Sequence, residues 1–403
     1  MADRITVLVA ARDEAGRIGT TIRALQASLP NAAIVVADDG SRDETATVAE
    51  QAGALVLRFP RRGKGQALSL AERQLPPGRL LLCDADLEGD LRPLAEAGAD
   101  LAVARFADRE GGGFGIAKAV ARGLIRLRSG FEAREPLSGQ RVLSEAARSA
   151  CFPVAPGFGC ETRMTIDAVR AQLRVFEVEL PLRHRPTGRD AGGFAHRGLQ
   201  LVDAILGCGP LAVNHRGLRL PVVGWLVALR RNPAVAAVAA IGLADDLWSG
   251  PERGFREHLR SGSTTGILKL VAIPLVGLVA TRRLSGALLT GLSANALNQF
   301  DTAPGRALKV YLAAALPLQA SKGMAVLLLP YDLREMAMLG DAGSNALGAL
   351  LGLKSVGRLT GRGRAVAIGA LAALTLLGDR LSLGEMIERT PILRDLDGLG
   401  RPA

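Results

Sequence analysis

Leu80-Leu81-Leu82-Cys83-Asp84-Ala85-Asp86 decides how this chain is read. Four apolar residues in a row suit a strand buried on both faces, and two carboxylates at i and i+2 close it. Upstream, the same grammar repeats. Residues 5–11 (Ile-Thr-Val-Leu-Val-Ala-Ala) read as a strand, followed by Arg12-Asp13-Glu14-Ala15-Gly16-Arg17-Ile18 and a helical pattern to Leu29. Residues 34–37 read as a second strand ending in Asp38-Asp39-Gly40-Ser41-Arg42-Asp43, with a helix to about Gly53. A third strand over 54–58 leads to Arg61-Arg62-Gly63-Lys64-Gly65-Gln66-Ala67. Strands alternating with helices predict a parallel sheet covered on both faces. In such sheets ligands lie beyond the carboxyl ends of the strands. All four polar clusters fall there.

The residue types suit phosphate chemistry. Paired aspartates are hard oxygen ligands for Mg²⁺ or Mn²⁺, which share their remaining positions with phosphate. Glycines flanking Lys64 permit close backbone approach to a phosphate. Asp38 and Asp39 also suit a plain turn and helix cap. Gly111-Gly112-Gly113-Phe114-Gly115 reads as a mobile loop over the site. Residues 116–128 read as an amphipathic helix with Ile116, Val120, Leu124 and Leu127 on one face, suited either to a core or to an anionic lipid surface.

Ala-Arg-Asp-Glu at 11–14, Asp-Asp-Gly-Ser at 38–41, Gly-Lys-Gly at 63–65 and Asp-Ala-Asp at 84–86 resemble family 2 nucleotide-sugar glycosyltransferases of the GT-A fold, in order and spacing, over roughly residues 1–210. The resemblance implies a Rossmann-like α/β domain. It implies that Ala11, Glu14, Asp39, Lys64 and Asp84 bind the nucleotide and that Asp84 and Asp86 hold the metal–diphosphate, with Glu88 assisting. Pro136-Leu137-Ser138-Gly139-Gln140-Arg141, Gly157-Phe158-Gly159-Cys160-Glu161 and the segment 181–190 fall where such enzymes build the sugar and acceptor site. They look most like dolichyl-phosphate sugar synthases and glucosyl-3-phosphoglycerate synthases. By that likeness His184 completes the metal site, and Asp86, Glu161 and Arg185 form the catalytic set. Glu161 suits either sugar orientation or a buried pairing with Arg163.

Net charge is +11. That suits a membrane surface or phosphate-rich substrates. Nucleic acid is not expected, because aromatics are 3% and no recognition motif occurs. Cys83, Cys151, Cys160 and Cys208 lack metal or disulfide spacing and suit a reduced cytosolic domain. No signal peptide is read before the first strand.

Composition shifts near residue 205. Apolar stretches follow at about 218–229, 233–244, 266–280, 284–297, 307–330, 343–353 and 364–378. Most fall short of the roughly 20 residues of a spanning helix, but together they predict a small membrane bundle rich in Gly and Ala. Polar motifs interrupt it: Gly242-Leu243-Ala244-Asp245-Asp246-Leu247, Asn295-Ala296-Leu297-Asn298-Gln299-Phe300-Asp301 and Leu339-Gly340-Asp341-Ala342-Gly343-Ser344. With Asn214-His215-Arg216-Gly217 they resemble polyprenyl-phosphate N-acetylhexosamine-1-phosphate transferases over 211–378. The resemblance implies that Asp245, Asp246 and Asp341 surround Mg²⁺ and lipid phosphate, that Lys269 approaches the diphosphate, and that Asn298 and Asp301 belong to a loop completing the site. Thr302-Ala303-Pro304-Gly305 stands where that family carries Gly-x-Asp-Gly, and no histidine follows His258. A degenerate module that holds a lipid phosphate or anchors the enzyme is therefore expected.

The domains expected are 1–205 (GT-A glycosyltransferase), 206–385 (all-α transmembrane helical bundle) and 386–403 (cytoplasmic tail). The expected activity is metal-dependent hexosyl transfer from a UDP- or GDP-sugar to polyprenyl phosphate or a polyprenyl-linked acceptor, by a multi-pass cell-membrane protein with its first domain in the cytoplasm. The alternatives are a sugar-1-phosphate transferase in the second half, or a non-catalytic membrane scaffold.

Overall fold

The computed structural model describes residues 5–106, 115–182, 191–229, 232–248, 264–380 and 383–401. The glycine-rich segment 111–114, together with His184 and Arg185, lies outside them. The chain divides into two compact units: residues 1–209 with 217–219, and residues 210–216 with 220–403.

The first unit runs β1 (Ile5–Ala11), α1 (Ile18–Ser28), β2 (Ala33–Asp39), α2 (Thr45–Gln51), β3 (Leu55–Phe59), α3 (Lys64–Glu72), β4 (Arg79–Asp84) and α4 (Arg92–Ala95). It continues through β5 (Leu101–Phe106), α5 (Ile116–Ser129), β6 (Arg141–Leu143), α6 (Glu145–Cys151), α7 (Gly159–Arg170), β7 (Val175–Leu180) and α8 (Ala191–Cys208). The strands form one sheet in the order β3-β2-β1-β4-β6-β5-β7. Alternation along each strand sorts the side chains onto two cores. Val7, Val9, Val36 and Leu81 pack with Ile18 and Ile22 of α1 on one face. Leu8, Val35, Leu80 and Leu82 pack with Leu68 and Met164 on the other. Burial on both faces explains why the strands read as continuous apolar runs.

The sheet is not wholly parallel. β6 is antiparallel to both β4 and β5, pairing Leu82 with Arg141 and Val103 with Arg141. Three residues are too few to show a period, so the sequence pattern missed it. The chain moves outward from β1 through β2 to β3, then returns to place β4 on the other side of β1. The switch point is therefore the crevice between β1 and β4, where Ala10 lies opposite Asp84.

Helix α5 presents a different face from the one its periodicity suggested. Ala121 and Ile125 are its buried residues, while Ile116 and Leu127 are 58% and 79% exposed. All four cysteines are buried and unpaired, and burial pushes the Cys151 thiol up to about 12.

The second unit is mainly helical. Its helices are Pro233–Trp248, Thr264–Thr281, Leu284–Phe300, Arg306–Leu318, Gly323–Leu333, Gly340–Arg358, Gly361–Arg380, Leu383–Arg389 and Pro391–Gly398. The stretch expected at 307–330 is two helices, because Gln319 adopts a left-handed conformation between them. The region expected as a tail carries the last two helices, and Asp397 folds inward to pair with the buried Arg306 (2.8–3.0 Å). Among the described residues one helix, through its window Gly361–Gly378, is long and apolar enough to cross a membrane, and none of that window is buried. The multi-pass expectation is not supported at this level. Most other helices are short for a bilayer, and charged groups such as Asp245, Asp246 and Lys269 interrupt their apolar runs.

Candidate functional site

The ends of β1, β2 and β4 deliver the expected residues to one side of the sheet. The loop after β1 is laced to the loop after β2. Asp13 N–H donates to Ser41 Oγ (3.0 Å), Arg42 N–H to Asp13 Oδ1 (2.8 Å), and Glu14 N–H to Thr45 Oγ1 (2.7 Å). The Glu14 carboxylate is engaged by Arg17 at 2.7 Å. Ala11 ends β1 in register with Asp38. Asp38 makes the local turn, accepting from Ser41 N–H at 3.2 Å.

Asp39 instead reaches across to the next loop. It accepts from the backbone N–H groups of Arg62 (2.7 Å) and Gly63 (2.9 and 3.0 Å). Gly63 has φ +98°, a conformation that L side chains rarely adopt. The turn so fixed starts α3 with Lys64. The Lys64 ammonium lies 2.6 Å from Asp84 Oδ1 and 2.6 Å from Glu161 Oε1. Burial opposes its charge, but the two carboxylates outweigh that cost and hold its pKa well above the ordinary lysine value.

The remaining oxygen of Asp84 accepts from Gln140 Nε2 at 3.1 Å. A side chain at Gly139 would collide with the Asp84 carboxylate, so glycine lets the 136–140 loop press against it. Asp86 leaves the same strand end half-buried, and Glu88 is exposed. Glu161, in the first turn of α7, is 3% exposed. It does not pair with Arg163, whose guanidinium turns to Asp167 (2.7 Å) and to the Gly209 carbonyl (3.1 Å). Of the two readings of Glu161, the pairing with Arg163 is thus excluded.

Three residues that carry this geometry were given no individual role from sequence, although Gln140 and Arg141 lie in a segment expected at the site. Gln140 orients Asp84. Arg141, fully buried, clasps the loop before it. Asp203 of α8 accepts from Phe158 N–H at 2.9 Å and so anchors the entry to α7; burial raises its pKa against that hydrogen bond. An arginine opening the short apolar strand Arg141-Val142-Leu143 was the available signal for the second of these. Helix-spaced apolar neighbours hid the third.

The donor set suits a hard cation. Two carboxylates two residues apart supply oxygen ligands and leave positions for phosphate. Among the described residues, no group of three His, Cys, Asp or Glu side chains is arranged to hold a metal. The proposed third ligand, His184, lies outside those residues.

A second polar centre lies inside the helical unit. Lys269 bridges Asp245 and Asp341, which come from different helices. Asp246 accepts from the backbone N–H groups of Asp341 (3.1 Å) and Ala342 (2.8 Å), capping the helix that starts at Gly340. Asn298 accepts from Ser344 Oγ at 2.9 Å. The segment 295–300 is not a loop but the last turns of a helix. Its Asn295 and Gln299 turn to Thr375 (3.1 and 3.3 Å), tying on the helix Gly361–Arg380. Asp301 follows immediately and lines a shallow pocket with His215, Asp332 and Glu335.

Comparison with known proteins agrees with the first unit. Residues 6–130 match the family model described as glycosyl transferase family 2. The chain is 30% identical over 169 residues to glycosyltransferase AglJ of Haloferax volcanii, covering 39% of this chain and 56% of that protein. It is 34% identical over 82 residues to protein RfbJ of Shigella flexneri, covering 20% and 64%. The chain thus spans about three-fifths of the length of these curated relatives. Among solved structures it is similar to glucosyl-3-phosphoglycerate synthase from Mycobacterium tuberculosis in complex with Mg²⁺ and UDP, at 23% identity and TM-score 0.42, covering 51% of this chain and 80% of that one. A complex of the same enzyme with Mn²⁺, UDP and phosphoglyceric acid gives 23% identity and TM-score 0.44, covering 55% and 87%. The stretch that matches the glycosyl transferase family 2 model thus lies within the first unit, on its mixed sheet.

Proposed function

We propose that the first unit transfers a hexose from a UDP- or GDP-sugar to polyprenyl phosphate or a polyprenyl-linked acceptor at a membrane surface. The observation that carries this reading is the meeting of Lys64, Asp84 and Glu161 at the β1–β4 switch point, fed by the family 2 stretch. Asp84 and Asp86, with His184, would hold Mg²⁺ or Mn²⁺. When bound, the cation neutralises charge developing on the departing diphosphate. The chain's own groups do the rest. Lys64 exchanges its carboxylate partners for donor phosphate oxygens. Asp39 fixes the backbone that presents it. Glu161, released from Lys64, accepts from a sugar hydroxyl, and Arg185 belongs to the acceptor side. A phosphate acceptor is already nucleophilic, so no strong general base is required.

Two features of the second unit support a membrane and a lipid acceptor. Its helices turn large apolar side chains outward, among them Val271 (60% exposed), Val279 (71%), Leu316 (61%) and Val366 (72%). Large apolar side chains turned outward in this number suit contact with lipid or a partner. The Lys269 centre supplies a cation and carboxylates suited to a lipid phosphate and its counter-ion. In this reading the unit anchors the enzyme and holds the acceptor, with the first unit on the cytoplasmic side.

The test is donor consumption by the full chain in detergent with polyprenyl phosphate and Mn²⁺. Release of UDP or GDP, with sugar appearing on the lipid, is expected. No turnover of any UDP- or GDP-hexose would overturn the reading. A second reading makes the helical unit a sugar-1-phosphate transferase. The convergence of Asp245, Asp246, Lys269 and Asp341 favours it; the absence of an acidic residue across Thr302–Gly305 counts against it. That reaction releases UMP instead of UDP.

A further inference from the structure

Arg141 is the largest fully buried polar side chain among the described residues, at 0% exposure. Burying a guanidinium is costly unless its charge and its donors are answered. Its hydrogen-bond partners among the described residues are all neutral. Nε donates to the Ser138 carbonyl (2.8 Å), Nη2 to the Pro136 carbonyl (3.1 Å), and Nη1 to Thr165 Oγ1 (2.9 Å). Among the described residues no carboxylate forms an ion pair with it. The charge that most offsets its burial is that of Glu161.

Two chains of hydrogen bonds leave this guanidinium. One passes from Nε to the Ser138 carbonyl, then from Ser138 Oγ to Gln140 Oε1 (3.3 Å), and from Gln140 Nε2 to Asp84 Oδ2 (3.1 Å). The other passes from Nη1 to Thr165 Oγ1, and from that hydroxyl to the backbone carbonyl of Glu161 (3.3 Å). The two arms end on the residues that Lys64 bridges from above. We infer that Arg141 is a positioning residue: its planar fork sets the separation of Asp84 and Glu161, and thereby where Lys64 and a metal-bound diphosphate are held. A neutral side chain of similar volume would fill the space but leave two backbone carbonyls and a hydroxyl without a donor. Lysine would keep the charge but lacks a planar fork that reaches three acceptors at once.

This inference rests on the proposed sugar transfer for its catalytic consequence, but its geometric content is tested without activity. Acetic anhydride labelling of the full chain, followed by mass spectrometry, reports how firmly Lys64 is held. Lys118, which pairs with Glu135 at 2.6 Å in the same unit, serves as the reference. In Arg141→Lys, the Lys64 labelling rate relative to Lys118 is expected to rise several-fold. The Mn²⁺ concentration giving half-maximal UDP binding is expected to rise about 10- to 100-fold, as for other residues that orient metal ligands. Gln140→Ala cuts only the Asp84 arm and should reproduce the Mn²⁺ effect. Thr165→Val cuts only the Glu161 arm and should reproduce the labelling effect. These two variants decide the matter if Arg141→Lys does not fold. Wild-type labelling and Mn²⁺ response in folded variants, with only the melting temperature lowered, would reduce Arg141 to a structural residue and overturn the inference. If the wild type binds neither UDP nor GDP with Mn²⁺, the proposed function falls, while the Lys64 labelling ratio still decides the positioning role.

Discussion

The two units each place one lysine between two carboxylates, on unrelated backbones. In the first, Lys64 opens a helix after a glycine turn, Asp84 ends a strand, and Glu161 begins another helix. In the second, Lys269, Asp245 and Asp341 all come from helices. The difference lies in what surrounds each trio. Around Lys64, Asp39 and Gln140 brace the site from the backbone side, and Asp86 stands half-buried beside it. Around Lys269, the neighbouring Asp246 is spent on a helix N-terminus. The strand-end site is thus arranged as a mouth at a topological switch point, and the helical one as a brace between helices. The proposed function accordingly gives the chemistry to the first and acceptor holding to the second.

The largest effects should separate the two sites cleanly. Asp84→Asn keeps a hydrogen-bond acceptor for Gln140 but removes the charge that Lys64 and a cation share. Sugar transfer should fall by about 10²–10³-fold, measured as nucleoside diphosphate released. A fall of less than tenfold would merge the two sites in importance. Asp341→Asn should reduce sugar transfer without abolishing it, because it weakens only acceptor holding; loss as deep as that of Asp84→Asn would break the comparison.

Stability should then show what the sites share. Lys64→Met leaves Glu161 buried beside Asp84 without its ammonium. Since Lys64 is 19% exposed, the full cost of breaking a buried pair is discounted to about 2–4 kcal/mol, read by urea denaturation. Lys269→Met should destabilise the protein in the same direction while sparing most sugar transfer. Equal loss of transfer in both variants would show that the helical site shares in the chemistry.

The smallest effect sharpens the first site alone. The pKa of Asp203 is raised in the folded state, so the folded protein binds the more protons there. Its contribution is most favourable below the ordinary carboxylate range and diminishes as pH rises from the ordinary value through the raised one. Asp203→Asn keeps an acceptor for Phe158 N–H and removes that ionisation. The slope of melting temperature against pH should flatten in this window; an unchanged slope would show that Asp203 is not the group responsible.

Much of the first unit was legible because strand ends advertise themselves. A buried apolar run followed by Asp-Asp-Gly or Asp-Ala-Asp marks both the strand and its functional end, and the resemblance to family 2 enzymes rested on those same residues. What escaped depends on distant partners. β6 is three residues long, and its direction follows from pairing with β4 and β5 instead of from any local pattern. Gln140, Arg141 and Asp203 matter through contacts 45 or more positions away in the first and last cases, and through Thr165, 24 positions on, in the other. In the second unit the structure gathers Asp245, Asp246, Lys269 and Asp341, but not every residue of the motifs turns to them. Asn295 faces the helix Gly361–Arg380, and the segment 295–300 is helical because nothing before Asp301 breaks its pattern.

The most direct measurement is the identity of the nucleotide released when the full chain, with Mn²⁺, meets a nucleotide sugar and polyprenyl phosphate. The account predicts the nucleoside diphosphate, UDP or GDP, with release lost in Asp84→Asn and only lowered in Asp341→Asn. Release of UMP that survives Asp84→Asn and vanishes in Asp341→Asn would contradict it and move the chemistry to the helical unit.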